Sequence, residues 1–455
     1  MKRKNFLRGA AALGVSGGVV KALGALYRIP LTAMIGCYGI GLYQSTYSFY
    51  AFIATLCSAG IASCLSKRVA ERRAQGLSAE SAEKSYMRFF SAVGAAGAVA
   101  VALFPLIFHG ARGEKPSVGY FFLAPALPLV CVASVFCGGF QGEGNMYPTA
   151  ISEVCGQTAK ILFGVLFCAI FKANVEKSAA WLCFAVSLAA LCETAALYLF
   201  KRKSYEKNEN HAGRGALFSL YSVNAAGTIG AKEIFSFTLP VTLSAAVLPL
   251  TAFAESLLLP DLMAGYEANP LALYGLFAGG AACVAHLPVT FCRGVAAAAI
   301  PDLSSEIKKE GFAGGKKKII YALLLTLAAA VPLCLCLCLF APLAVKILFS
   351  SLSAREKTLL VACIRILSAG ALFLSLAQTL SACMTALGVP KIAAACWGVA
   401  CLSRILFDLI FIGVSKFSVL GAAIAEVGCY FVAFFLISAY NIAVYRSAKR
   451  RFAAA

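Results

Sequence analysis

The run IIYALLLTLAAAVPLCLCLCLF, residues 319–340, holds no charged side chain and follows directly on Lys316, Lys317 and Lys318. At 1.5 Å per residue, a helix of this length covers about 33 Å, enough to cross the roughly 30 Å hydrocarbon core of a bilayer. It is apolar all round, so no single face is left for water. In lipid its backbone groups are all satisfied within the helix.

The rest of the chain repeats the pattern. Similar runs lie at 10–32, 41–66, 89–109, 118–140, 150–171 and 179–200, and again at 234–259, 271–299, 359–387, 393–414 and 419–444. With 319–340 they predict an all-α polytopic membrane protein of about twelve spans, six in each half. Hydrophobic residues make up 61% of the 455, charged residues 13%, and the mean hydropathy is +0.83. Soluble chains carry about 25% charged residues, so a water-soluble fold is excluded. The opening MKRKNFLRGAAALG has the charge pattern of a signal peptide, but its apolar stretch continues to about Leu31 with no clear cleavage site, and it reads as a retained first span.

The net charge of +20 would suggest nucleic acid in a soluble protein. Here the bases collect in alternate inter-span segments: Lys67 to Arg88, Lys201 to Lys232, Lys308 to Lys318, and both ends of the chain. The other segments hold few. The positive-inside rule then puts both termini in the cytoplasm, and nucleic acid is not expected as a partner. The polar stretch 201–232 divides the chain into an N-terminal six-helix lobe (1–200) and a C-terminal one (233–455), with 201–232 as a cytoplasmic linker.

Two echoes connect the halves. Lys160-Ile161-Leu162-Phe163 follows Pro148, as Arg404-Ile405-Leu406-Phe407 follows Pro390; Gly60-Ile61-Ala62 resembles Gly294-Val295-Ala296. An even number of spans per half makes them parallel repeats, a plan in which the transport site of a carrier lies between lobes near the midplane.

Charges within spans are costly and usually face a cavity or a partner. Lys21 and Arg28 are seven apart on one face of the first helix, which Gly14, Gly17, Gly18 and Gly24 make easy to bend. They can form a basic stripe for an anionic substrate, or snorkel to an interface. Arg404 and Asp408, at i and i+4, can pair on one helix or serve substrate; Glu153 and Lys160 share a face with the same two readings. Arg293 and Arg365 lie near span ends and read as snorkelling. Glu255 sits deep in its span with no basic residue within two turns, so it needs a partner from another helix, a proton or a cation. Glu255, Glu153 and Asp408 are the candidates for ion coupling to a proton or sodium. Tyr43, Gln44, Tyr47 and Tyr50 can hydrogen-bond sugar hydroxyls or anchor the membrane interface.

Nineteen cysteines lie almost all inside apolar runs, without a CxxC pair, and there are three histidines. A zinc centre or disulfide scaffold is not indicated, and no cofactor is implied. No phosphate-binding loop G-x-x-x-x-G-K-[ST], no H-E-x-x-H and no G-x-S-x-G is present. These absences point away from an ATPase or hydrolase and toward a secondary transporter or flippase.

Gly24-Ala25-Leu26-Tyr27-Arg28-Ile29-Pro30-Leu31, Gly39-Ile40-Gly41-Leu42-Tyr43-Gln44, Ala59-Gly60-Ile61-Ala62, Gln141-Gly142-Glu143-Gly144-Asn145-Met146 and Pro301-Asp302-Leu303-Ser304 together resemble the stage V sporulation protein B family. That family lies within the multidrug/oligosaccharidyl-lipid/polysaccharide exporter superfamily. The resemblance implies two six-helix lobes around a central cavity and alternating access in the bacterial inner membrane. It implies a flippase for lipid-linked oligosaccharide, with a peptidoglycan precursor such as lipid II as cargo, a role in spore cortex, and cell-wall synthesis enzymes as partners. Related lipid II flippases bind the diphosphate with basic residues of the first helix, which carries over to Arg28; an acidic residue in span seven is typical of the family, which carries over to Glu255. Together these readings make Lys21, Arg28, Gln44, Lys160 and Arg404 the expected substrate-binding residues. The rival expectations are a cation-coupled multidrug exporter of the same architecture, and a membrane-embedded glycan-assembly enzyme or scaffold.

Overall fold

The structure is a computed structural model that describes residues 2–75, 79–112, 117–211, 230–387 and 389–453; within these, the side chains of 2–15, 21, 109, 111–112, 204–211, 240, 293–314 and 444–453 are not described. Among the described residues it is all helix. The helices are α1 (Lys2–Ser58), α2 (Ile61–Ala74), α3 (Glu80–Arg112), α4 (Gly119–Leu123), α5 (Ala126–Gly142), α6 (Tyr147–Ile170) and α7 (Val175–His211). Then come α8 (Ala231–Met263), α9 (Pro270–Tyr274), a π-helix (Gly275–Ala281), α10 (Ala282–Ala285) and α11 (Leu287–Leu348). The chain closes with α12 (Ala354–Ala386), α13 (Pro390–Asp408), a second π-helix (Leu409–Val414) and α14 (Ser418–Ala453).

Ten helices among the described residues are long and apolar enough to cross a membrane, which makes this a multi-pass membrane protein. Two of the twelve expected runs share one helix, and a third is interrupted. The expected run 41–66 and most of 10–32 lie in one apolar stretch, Ser16–Ala74, whose 59 residues are nearly three times the roughly 20 that one crossing needs. It bends at Gly36, whose φ of 65° and ψ of 179° only glycine adopts readily. The expected run 271–299 is interrupted at His286: α9, the first π-helix and α10 occupy Pro270–Ala285, α11 begins at Leu287, and the run's last residues, from 293, have side chains outside the described ones. A Cβ at Gly275 would lie 2.9 Å from Gly41 Cα and would also meet the Cys37 carbonyl, so the backbones of α1 and the π-helix touch directly.

Helix starts follow the proline and cap signals. Pro148 and Pro390 sit in the first turns of α6 and α13, where a missing N–H costs nothing. Ser353 and Glu356 form a reciprocal capping box at the start of α12.

The chain forms two compact units. Unit 1 comprises Met1–Gly24 and Ser45–Leu250; unit 2 comprises Ala25–Gln44 and Thr251–Ala455. The division therefore cuts α1 twice and crosses α8, rather than falling in the polar stretch 201–232. Of that stretch, residues up to His211 continue α7, Ala231 begins α8, and 212–229 lie outside the described residues.

Unit 1 packs Ile61, Leu65 and Val69 of α2 against Tyr86 and Phe90 of α3, Val135 of α5 and Ile234 of α8. At the polar end of these helices Lys201 Nζ lies 2.8 Å from Glu83 and 3.9 Å from Glu143, and Arg73 lies 3.5 Å from Glu143. Lys201 and Glu83 are mostly buried, so this network fixes how α2, α3, α5 and α7 come together. In unit 2, Leu360, Ile364 and Leu367 of α12 pack with Phe277 of the π-helix and Ala423 of α14.

Candidate functional site

In unit 2, Glu255 of α8 finds the partner its own helix lacks. Oε1 of Glu255 meets Nε of Arg404 from α13, and Nη2 of Arg404 lies 3.3 Å from Oε2 of Glu426 on α14. Glu426 also accepts a 2.6 Å hydrogen bond from the Tyr430 hydroxyl, one turn further along α14. Nε2 of His286, at the start of α11, lies 3.0 Å from Glu426 Oε1 and 3.2 Å from Tyr430 Oη. Asp408, one turn from Arg404, is 1% exposed, and its Oδ2 has no hydrogen-bond partner. Arg404 thus pairs with carboxylates from two other helices, Glu255 of α8 and Glu426 of α14.

The charge balance follows directly. One guanidinium and one imidazole face three carboxylates inside membrane-spanning helices. Buried charges left unpaired are expensive, so a proton or a cation must make up the difference. His286 is the member with an outward face: its side chain is 36% exposed, against 2% for Glu426.

Arg28 is held differently. Its Nη1 donates to the carbonyls of Gly279 at 3.0 Å and Ala278 at 3.4 Å, both in the first π-helix, and its Nη2 donates to Gln44 Oε1 at 3.3 Å. Among the described residues no carboxylate pairs with it. Only dipoles hold a guanidinium in a span, and both π-helices, structures frequent at functional sites, lie beside candidate residues: one against Arg28, the other directly after Asp408.

The remaining expected residues scatter. In unit 1, Lys160 Nζ lies over the Tyr47 ring, 4.7 Å from its centroid, a cation–π geometry. Glu153 accepts from the Ser16 hydroxyl at 3.3 Å. Arg365 is exposed. Lys21 lies on α1, and its side chain, like that of Arg293, is outside the described ones.

Three members of the unit 2 cluster were missing from the sequence expectation: Glu426, His286 and Tyr430. Glu426 was visible as an acid within a span, and Tyr430 at i+4 was a signal that could have marked it. His286 carries no such signal, since it approaches from another helix.

Comparison with known proteins agrees with this architecture. The model of the family described as polysaccharide biosynthesis protein matches residues 6–307. Stage V sporulation protein B of Bacillus subtilis (strain 168) is 26% identical over 321 residues, covering 68% of this chain and 60% of that protein. Lipid II flippase MurJ of the same organism is 22% identical over 339 residues, covering 69% and 60%. The matches thus span about three-fifths of the length of these curated relatives. Among solved structures, the inward closed conformation of lipid II flippase MurJ aligns with a TM-score of 0.70 at 14% identity, covering 96% of this chain and 89% of that one. An inward-facing multidrug resistance MATE family transporter of the MOP superfamily aligns at 0.68 and 14%, covering 95% and 96%. At these identities the structural likeness speaks for the fold. With a family model matched over most of its length, the chain belongs to the polysaccharide biosynthesis protein family.

Proposed function

We propose that this protein is a flippase that carries a lipid-linked oligosaccharide across the bacterial inner membrane by alternating access, with both termini in the cytoplasm. The observation that carries the reading is Arg28: a guanidinium in a membrane-spanning helix, half-buried, held by two carbonyls and one side-chain amide without a carboxylate. Neutral acceptors satisfy its donors but leave its charge uncompensated. A diphosphate offers both the charge and paired oxygens for the bidentate hydrogen bonds that a planar guanidinium makes. A lipid-linked sugar carries that group, cannot move it through hydrocarbon unaided, and can leave its acyl tail in lipid.

In this reading Arg28 and Gln44 bind the head group, with Lys21 and Lys160 as further basic contacts. Glu255, Asp408 and Glu426 form the coupling site, with Arg404 as its fixed internal cation rather than a substrate ligand. Because a fixed cation already fills part of that site, a proton suits the remaining space better than sodium, and His286 is its outward door. The relatives named for sporulation and for lipid II support a peptidoglycan precursor as cargo and cell-wall synthesis enzymes as neighbours. A multidrug exporter of cationic compounds fits Arg28 poorly, since that site repels them. The reading assigns no bond-making or bond-breaking step to the chain.

The test is reconstitution in liposomes with a fluorescent prenyl-diphosphate-linked sugar, following its accessibility in each leaflet. Arg28→Ala should slow transfer at least tenfold while the purified protein keeps its thermal midpoint. Unchanged transfer in that variant overturns the proposal.

A further inference from the structure

The segment 271–281, which ends in the first π-helix, meets α1 at three glycines of unit 2. A Cβ at Gly41 would run into the Leu271 carbonyl, one at Gly275 into the Cys37 carbonyl, and one at Gly279 into Ile40 Cγ2. Gly275 and Gly279 are four apart, the spacing at which small residues let two backbones approach closely in a membrane. Gly279 has a second neighbour: the same Cβ would lie 3.2 Å from Nη1 of Arg28. We propose that Gly279 is a positioning residue for Arg28. Its missing side chain lets the guanidinium seat on the π-helix carbonyls, so that the edge formed by Nε and Nη2 is the one presented to a phosphoryl oxyanion.

The donor count carries the assignment. A guanidinium holds five N–H groups in one rigid plane. Nη1 donates to the Gly279 and Ala278 carbonyls at 3.0 Å and 3.4 Å, and Nη2 donates to Gln44 Oε1 at 3.3 Å. A helical carbonyl has a second lone pair to offer, and the bare α-carbon of Gly279 leaves the way to it open. Among the described residues nothing accepts from Nε, and Nη2 has two hydrogens for the one acceptor Gln44. That edge therefore keeps a donor on each nitrogen, the arrangement for a bidentate pair with two oxygens of a phosphoryl group. Arg28 is half-buried, so part of its side chain stays reachable. A methyl group at 279 would press on Nη1, and turning the plane to relieve that contact turns the open edge as well. The next residue, Gly280, has no such neighbour: a Cβ there would meet the end of the Leu360 side chain, 3.1 Å from Cδ1.

The proposal rests on the flippase reading, because it gives the open edge to that cargo's phosphoryl group. The experiment follows transfer of a fluorescent prenyl-diphosphate-linked sugar by the full-length protein in liposomes, as a function of the sugar's concentration. Gly279→Ala is made in an Ile40→Leu background, which keeps the volume and removes the Cγ2 that the new methyl would strike. Ile40→Leu alone is the reference, and Ile40→Leu with Gly280→Ala adds the same methyl one residue along. The expected result is a KM about tenfold higher with Gly279→Ala than in the reference, the order of one charge-assisted hydrogen bond, with the maximal rate and the thermal midpoint kept. Gly280→Ala should leave KM where it is. On a chain that also carries Arg28→Lys, which has no Nη1 to displace, Gly279→Ala should add nothing. An unchanged KM with Gly279→Ala, an equal rise with Gly280→Ala, or an equal rise beside Arg28→Lys overturns the positioning role, and the flippase reading then stands as long as Arg28→Ala slows transfer. Should Arg28→Ala transfer the sugar as the wild type does, both fall together.

Discussion

Glu255 and Arg404 form an ion pair between α8 and α13 in which the side chains are only 6% and 10% exposed. The pair, with Glu426 behind it, joins three helices of unit 2 through charge. Arg404→Met leaves Glu255 and Glu426 buried without their guanidinium, at a cost of about 3–5 kcal/mol, and should lower the unfolding midpoint sharply. Glu255→Gln leaves Arg404 paired with Glu426 and should lower it less. The double variant should lose less than the sum of the two, because Glu255 is then no longer a carboxylate stranded by the loss of Arg404. A thermal-unfolding double-mutant cycle on purified protein checks this; additive losses would mean the two side chains act independently.

Tyr430 donates to Glu426 within this cluster at 2.6 Å. Tyr430→Phe keeps the ring and removes the donor, leaving Glu426 Oε1 with His286 alone while Arg404 stays at Oε2. The expected destabilisation is about 1–3 kcal/mol, typical of a buried charged acceptor losing one hydrogen bond. Transfer in the liposome assay should fall as well if the cluster couples the cycle. A variant indistinguishable from wild type in both measurements would remove Tyr430 from the account.

Arg28→Lys separates charge from geometry. Lysine keeps the positive charge but loses the fork that reaches Gly279, Ala278 and Gln44 together. Transfer of a prenyl-diphosphate-linked sugar should lie between wild type and Arg28→Ala. Equal rates for lysine and arginine would show that only charge matters there.

Gly275 is the close point between the first π-helix and α1. Gly275→Val forces a side chain against the backbone of Gly41 and Cys37, which cannot move aside as a flexible side chain would. Overpacking of this kind costs about 1–3 kcal/mol or more. The yield of monodisperse protein after size-exclusion chromatography should drop. Normal yield and midpoint would contradict the contact.

Lys201 carries the polar end of unit 1. Lys201→Met removes the cation shared by Glu83 and Glu143 and should destabilise by roughly 2 kcal/mol, since the pair with Glu83 is mostly buried. Lys67→Met, in an exposed pair with Glu71, should change stability by less than about 0.5 kcal/mol. Thermal midpoints of the two variants side by side decide it.

The apolar runs alone determined that this chain is an all-helical membrane protein, because backbone in hydrocarbon has few other ways to satisfy its hydrogen bonds and a run such as 319–340 has the length to cross. They also marked Arg28 as a charge in a span and Glu255 as a carboxylate whose partner had to come from elsewhere. Who that partner is, only the tertiary structure decided. A helix repeats every 3.6 residues, so sequence spacing reports neighbours within one helix, as it did for Arg404 and Asp408. It says nothing about which faces of different helices meet. Packing brought Glu426 and His286 to the cluster and turned Arg404 toward Glu255. The close approach of the Gly275 backbone to Gly41 and Cys37 came from the same source: contacts between segments far apart in the chain, which hydrophobic periodicity does not record.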